Sequence, residues 1–299
     1  LKYELFFSIC VPFFIRPNYL KGLVESVHRH ADMPFEIIVH DDKGMDLSSL
    51  ELKDKVSTVI LNLGKNLGLA AAANRAIACA NSKHILFINQ DCELIRPCLR
   101  DYAKVLEKPY VGILSPYGEP YPLSSPEWFE VDDVRFTLAH GISSGAALAF
   151  RKEFWEEVGG FEDDVISGCA DTPLLYKMYK EGYFRAVVLG ERRVRNVSAE
   201  DQGNRDSTIG PYGDCNYPRV FRTDDYENLC RQRGQRCQNN QDSQREVPAG
   251  LSNLDYWHGY SVEVMPRSGV ISSINWEAAK KHGQIRWRRL IELETIHRG

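Results

Sequence analysis

Residues 85–93 read Ile85-Leu86-Phe87-Ile88-Asn89-Gln90-Asp91-Cys92-Glu93. The run is apolar or nearly so up to Asn89, and carboxylates follow. An apolar run this short, bounded by polar residues, is read as a buried strand. The acids stand just past its carboxyl end, which is where open α/β sheets bind ligands. A hard cation such as Mg²⁺ or Mn²⁺ takes oxygen ligands, usually one or two carboxylates plus substrate phosphates. Asp91, with Glu93 or Asn89 beside it, suits such an ion. The same residues also fit a strand followed by a solvated acidic turn.

The flanking sequence repeats the strand pattern. Phe6 to Val11 is a β-rich run that Pro12 is expected to stop. A helix follows, with Asn18 as N-cap, running to about His30 with Leu20, Leu23, Val24 and Val27 on one face. Glu36 to Val39 and Val56 to Leu61 read as strands, Leu67 to Ala80 as an alanine-rich helix, Leu99 to Glu107 as a helix and Val111 to Leu114 as a fifth strand. Strands alternating with helices imply βαβ units and a mostly parallel sheet. Right-handed crossovers then bring Arg16, Asp41, Asp42 and Asp91 towards one crevice. The amino end of the Leu67 helix carries free N–H groups that suit phosphate. No G-x-G-x-x-G and no P-loop occurs, so a dinucleotide or NTPase reading has no motif behind it.

Beyond this half the chain is less regular. Residues 117–126 are rich in Pro, Ser and Tyr and read as a loop insertion. Ser143 to Phe150 resumes as a strand lined with small residues. Lys152 to Val158 is a short helix ended by Gly159-Gly160. Asp171 heads a helix running to about Glu181, where an acid serves either as a cap or as a positioned base. Past Arg195 the pattern weakens. Residues 231–245 are rich in Gln, Asn and Arg, Tyr256 to Tyr260 form an aromatic cluster, and Trp276 to Ile296 read as a helical tail.

Composition narrows the class. The 299 residues are 43% hydrophobic and 26% charged, enough for a sizeable core. The net charge of -4 argues against a generally basic nucleic-acid surface. No apolar run approaches the ~20 residues that span a bilayer. Eight cysteines contain no C-x-x-C pair, which speaks against zinc, and Cys10 and Cys79 read as small core residues. Reduced thiols and a cytoplasmic setting, in places peripheral to a membrane, are the expectation. The chain starts at Leu1 rather than Met, so a targeting or anchor segment upstream stays open.

Taken in order, Ser8-Ile9-Cys10-Val11-Pro12, Glu36 to Asp42, Asn66-Leu67-Gly68 with Asn74, Asn89-Gln90-Asp91, and Gly159-Gly160-Phe161 with Asp171 resemble the family 2 glycosyltransferases of the GT-A fold. The likeness runs from about residue 6 to residue 188. It implies a Rossmann-like α/β domain over residues 1–195, with a nucleotide half to about 115 and an acceptor half from about 140. Residues 196–299 would form an extension, loop-rich and then helical. The family transfers a sugar from a nucleotide diphosphate donor with inversion, usually with Mn²⁺ or Mg²⁺. By this resemblance Pro12, Arg16, Asp41 and Asp42 would hold the nucleoside, and Asn66, Gly68 and Asn74 would border the nucleotide. Asn89, Gln90 and Asp91 match the family's D-x-D, with Asp91 on the metal. Ser144-Gly145-Ala146 would lie on the acceptor side, and Asp171 would be the general base.

The departures are Asn89 in place of the first acid of D-x-D, Ala170 before the base, and no histidine near Arg195. His258 is the downstream candidate for a metal ligand, and His140 lies nearer the acceptor strand. The expected partners are a nucleotide-sugar donor and a carbohydrate or glycoconjugate acceptor. The alternative is an inactive nucleotide-sugar binding or scaffold protein of the same fold.

Overall fold

The computed structural model describes residues 6–45, 47–52, 54–61, 67–116, 127–139, 145–162, 171–197, 262–264, 271–274 and 297–298. The expected loop at 117–126, most of the extension, Asn66, His140, Ser144 and His258 lie outside these residues.

Within them the chain runs β1 (Phe7–Phe13), α1 (Pro17–His30), β2 (Phe35–Asp41), β3 (Thr58–Leu61), α2 (Leu69–Ala78), β4 (His84–Ile88), β5 (Cys92–Leu94), α3 (Leu99–Leu106) and β6 (Val111–Leu114). Then come β7 (Glu127–Val131), β8 (Val134–Ala139), β9 (Ala147–Arg151), α4 (Lys152–Glu157), α5 (Asp171–Lys180), β10 (Phe184–Val188) and β11 (Val194–Asn196). Three short strands, β12 (Val262–Val264), β13 (Ile271–Ile274) and β14 (His297–Arg298), complete the described strands, and a single 3₁₀ turn spans Leu47–Leu50.

One ten-stranded sheet has the order β14-β7-β8-β10-β6-β9-β4-β1-β2-β3. β9, β8 and β14 run against the other seven strands. The four strands β3, β2, β1 and β4 are parallel, so their carboxyl ends share one edge. Alternation along each strand divides the core between the two faces. Ile9, Val11, Ile37, Val39, Leu86 and Ile88 pack with α1 and α3, whereas Cys10, Ile38, Ile85 and Phe87 pack with α2, α4 and α5.

Several local expectations change. β1 does not stop at Pro12 but continues to Phe13, with Pro12 opposite His40 of β2. The Phe13 carbonyl accepts the Asp42 N–H, so Phe13 faces β2 and Pro12 faces the other side. There the ladder with β4 has already ended at Cys10, and the missing proline N–H breaks no bond. α1 is capped by Arg16 at φ 65°, with Pro17 in its first turn, so Asn18 lies inside the helix. Proline suits that position because its φ is already helical and no N–H partner is needed there.

The hairpin β7–β8 was not foreseen. Its two-residue turn is Asp132-Asp133, both at positive φ, and Val131 pairs with Val134. That conformation matches the right-handed strand twist, and Asp tolerates it.

Cys10 is buried as expected, but Cys79 is exposed, because it caps the end of α2 beyond the last buried turn. Burial pushes the Cys98 thiol up to about 12, and Cys10 also goes up. Of the described cysteines, only Cys79 is therefore expected to react with maleimide at pH 7 in the folded protein. Mass spectrometry of the labelled peptides checks this, and fast labelling at Cys92 or Cys98 would contradict the packing.

Candidate active site

The edge formed by the carboxyl ends of β2, β1 and β4 gathers most of the residues that the sequence singled out. After β4 the chain turns through Asn89-Gln90-Asp91-Cys92, closed by Cys92 N–H donating to the Asn89 carbonyl at 3.0 Å. The Asn89 N–H donates to the Ala146 carbonyl at 2.8 Å, which ties this turn to the start of β9. The Asp91 carbonyl accepts the Val197 N–H at 2.8 Å, so β11 backs the turn from the other side.

The three side chains of the turn have different tasks. Gln90 is engaged by backbone. Its Oε1 accepts the Phe14 N–H at 3.0 Å and its amide donates to the Ile15 carbonyl, so it secures the segment after β1. Asn89 Oδ1 is buried and has no hydrogen-bond partner among the described residues. Asp91 is half-buried. Glu93, the other acid considered for an ion, is taken by Arg195 on β11. The Arg195 Nε and Nη2 both donate to Glu93 Oε2, at 3.0 and 2.6 Å, from the directly opposed position.

Asp41 and Asp42 close β2, and both are buried. Asp41 Oδ1 accepts from the N–H groups of Lys43 and Gly44, which shapes the turn. Its Oδ2 is buried and has no hydrogen-bond partner among the described residues, which leaves one acceptor unused there. Asp42 Oδ2 instead accepts from Leu67 and Gly68 at 2.8 and 3.0 Å. A carboxylate thus already occupies the entry to α2, which the sequence had offered to phosphate. Gly68 holds φ 88° there, a conformation only glycine adopts freely. Asp42→Ala strands the buried Gly68 N–H and the partly buried Leu67 N–H, and a loss of about 2 kcal/mol in the urea unfolding free energy is expected. An unchanged urea midpoint would contradict the anchor. Arg16 caps α1, and its guanidinium stacks 5.5 Å from the Tyr19 ring. His40, which sequence reasoning did not select, is buried, neither ring nitrogen has a partner among the described residues, and burial pushes its pKa down.

The Asn74 amide donates to the Phe161 carbonyl at 2.8 Å and accepts the Phe161 N–H at 3.0 Å. A side chain closed on a backbone in this way ties the two segments together.

Asp171 opens α5 and is 8% exposed. Burial raises its carboxyl from 3.8 to about 6, against a backbone hydrogen bond that lowers it. Its carboxyl lies directly on Gly145. A Cβ on that glycine would stand 2.7 Å from Asp171 Cγ and Oδ1. Gly145 is followed by Ala146, whose carbonyl holds Asn89. Asp171 and the Asn89–Asp91 turn are therefore joined through two residues of backbone.

Among the described residues no group of three or more His, Cys, Asp or Glu gathers. A Mg²⁺ or Mn²⁺ bound beside a nucleotide needs less, since phosphate and water complete its shell. The Asp91 carboxylate and the unpartnered Asn89 oxygen fit a cation of that kind.

The chain has relatives. Residues 8–156 match the model of Glycosyl transferase family 2. The chain belongs to glycosyltransferase family 2. The match begins in β1 and ends in α4, so this family 2 domain is recognised without Asp171. The chain is 26% identical over 167 residues to the uncharacterized glycosyltransferase YwdF of Bacillus subtilis strain 168, covering 53% of this chain and 62% of that protein. Among solved structures, S. aureus TarS 1–349 in complex with UDP-GlcNAc superposes with a TM-score of 0.51 at 16% identity, covering 69% of this chain and 62% of that one. GalNAc-T7 with UDP, GalNAc and Mn²⁺ gives 0.51 at 15% identity, covering 62% and 43%. These likenesses show the GT-A fold. The family 2 chain spans less than two thirds of the length of each of these proteins.

Proposed function

We propose that this family 2 domain transfers a sugar from a nucleoside diphosphate sugar to an acceptor hydroxyl with inversion, and that Asp171 is the general base. The observation that carries the reading is the buried Asp171 carboxyl seated on Gly145, one residue before the carbonyl that holds the Asn89–Asp91 turn. A base with a value near the working pH is both largely ionised and still basic.

In the transfer the acceptor oxygen attacks the anomeric carbon as its proton passes to Asp171. The bond from that carbon to the diphosphate oxygen breaks, and the diphosphate leaves with the electron pair. Asp41 Oδ2 offers an acceptor for the nucleoside, and Asp91 with Asn89 Oδ1 would hold Mn²⁺ or Mg²⁺. When bound, such an ion supplies charge neutralisation for the leaving diphosphate. TarS and GalNAc-T7 were solved with UDP or a UDP-sugar, which makes UDP the first nucleotide to try. The acceptor is read as a carbohydrate or glycoconjugate. Among the described residues no helix is long and apolar enough to cross a membrane.

Thermal unfolding with UDP, GDP and dTDP, each with Mn²⁺ or with chelator, tests the reading on wild type and Asp91→Ala. At a hundredfold excess over Kd one nucleotide should stabilise the protein by about 2.7 kcal/mol. Chelator or Asp91→Ala should remove most of that. No stabilisation by any nucleotide would overturn the site. The loss of Glu93 to Arg195 leaves Asp91 as the one carboxylate of the turn, which favours a second reading, a binding protein without turnover. Nucleotide binding with no release of UDP from UDP-sugars would select it.

A further inference from the structure

The short segment Gly160-Phe161-Glu162 touches three elements that the proposed reaction needs. It leaves α4 through a turn in which Gly160 N–H reaches the Trp155 carbonyl and Gly159 N–H the Glu156 carbonyl. This is the glycine-ended helix stop expected from its two residues of positive φ. Asn74 of α2 then closes on Phe161 with two hydrogen bonds, 2.8 and 3.0 Å. The Phe161 ring is buried and lies 5.1 Å from the Phe87 ring of β4, the strand that leads to Asp91. From α5, Lys177 Nζ donates to the Gly160 carbonyl at 3.3 Å and stands 4.0 Å from Glu162 Oε1.

The junction has little slack. A Cβ on Gly160 would come within 2.8 Å of the Trp155 ring and 3.0 Å of Asn74 Oδ1. An amide that satisfies both the N–H and the carbonyl of one residue fixes that residue like a rung of a β-ladder. Asp171 belongs to the same helix as Lys177 and lies six positions earlier, at the helix start. Lys177 thus links the 160–162 segment to α5, and α5 carries the carboxyl seated on Gly145.

We infer that Asn74 is a positioning residue for Asp171: by holding Phe161 it fixes the segment that α5 grips through Lys177, and so keeps the base seated on Gly145. The inference rests on the reading of Asp171 as the base. It replaces the expectation that Asn74 borders the nucleotide, and the two assignments predict opposite results.

Two quantities separate them. The first is UDP affinity in Mn²⁺, measured by calorimetry. The second is the titration of the Asp171 carboxyl carbon, followed by NMR with ¹³C-labelled aspartate and assigned by its disappearance in Asp171→Asn. Asn74→Ala and Lys177→Met are compared with wild type. In each, loosened α5 should admit water to Asp171, and its midpoint should fall from about 6 by about one unit. UDP affinity should stay within about twofold of wild type. Lys177→Met removes a positive charge, which alone would raise a carboxyl, so a fall reports displacement rather than charge. A merely structural asparagine would lower the melting temperature without moving the midpoint, and that result overturns the inference. So does a tenfold loss of UDP affinity in Asn74→Ala with an unmoved midpoint. If the wild type binds no nucleotide, the transferase reading fails, and the titration still decides the link between Asn74 and Asp171.

Discussion

Asp171→Asn is expected to lower sugar transfer by about 10²–10⁴-fold, the usual span for loss of a general base. UDP affinity should remain within about twofold, because no hydrogen bond links Asp171 to the residues that close β2 or to the side chains of the Asn89–Asp91 turn among the described contacts. Asparagine fills the same space against Gly145 but cannot take a proton. In wild type, kcat/KM should rise with pH through about 6, as the buried carboxyl ionises, and level off above it. The variant should lack this limb. Turnover close to wild type in Asp171→Asn would sink the assignment.

The same substitution should make the protein more stable. Folding raises this carboxyl from 3.8 to about 6, so the folded state holds the proton more tightly than the unfolded chain does. The ionised group costs nothing below the unfolded value. The cost grows as pH rises through the interval and is complete above about 6, where it reaches about 3 kcal/mol. Asp171→Asn relieves part of that cost, so its urea midpoint should exceed wild type at pH 8. The gap should narrow at pH 5 and close below 3.8. A site that gives up stability for a reactive group is a common compromise.

Gly145→Ala should cost about 10²-fold in turnover, the effect of moving a reacting group by about 1 Å. The added Cβ would stand 2.7 Å from two atoms of the Asp171 carboxyl and 3.1 Å from the third. Real contacts of this kind do not occur, so the side chain must leave its place. The constraint is one of space, and the part that yields is a side chain. Melting temperature should therefore change little. The decisive measurement is a double-mutant cycle on UDP release from a UDP-sugar. In an Asp171→Ala background, Gly145→Ala should add no further loss, because the two residues act as one unit. Additive losses would place the glycine's role elsewhere.

The first half of the fold was legible because its signals are local. Short apolar runs at β1, β2, β4 and β6 and the spaced apolar residues of α1 specify their elements by burial alone. The carboxyl edge was legible too, since parallel neighbours joined by right-handed crossovers must end on one side. Asp41, Asp42, Asn89 and Asp91 stand there for that reason. The hairpin of β7 and β8 was missed although Asp132-Asp133 between two alternating runs is a turn signal of known kind.

The tasks of polar side chains were not legible. Gln90, Glu93, Asp42 and Asn74 are as polar as Asp91, and sequence order places them as near the crevice. Each has a partner far along the chain: Phe14 and Ile15, Arg195, Leu67 and Gly68, Phe161. A hydrogen bond across such a separation depends on packing that no local pattern encodes. By itself the sequence determined the alternation of strands and helices, the edge on which acids gather and the candidacy of Asp171, because period, composition and order carry those. Only the tertiary structure decided which acids are spent on partners within the chain, and it alone set Asp171 on Gly145. Burial, which raises that carboxyl, is a property of the packed chain and of no single stretch in it.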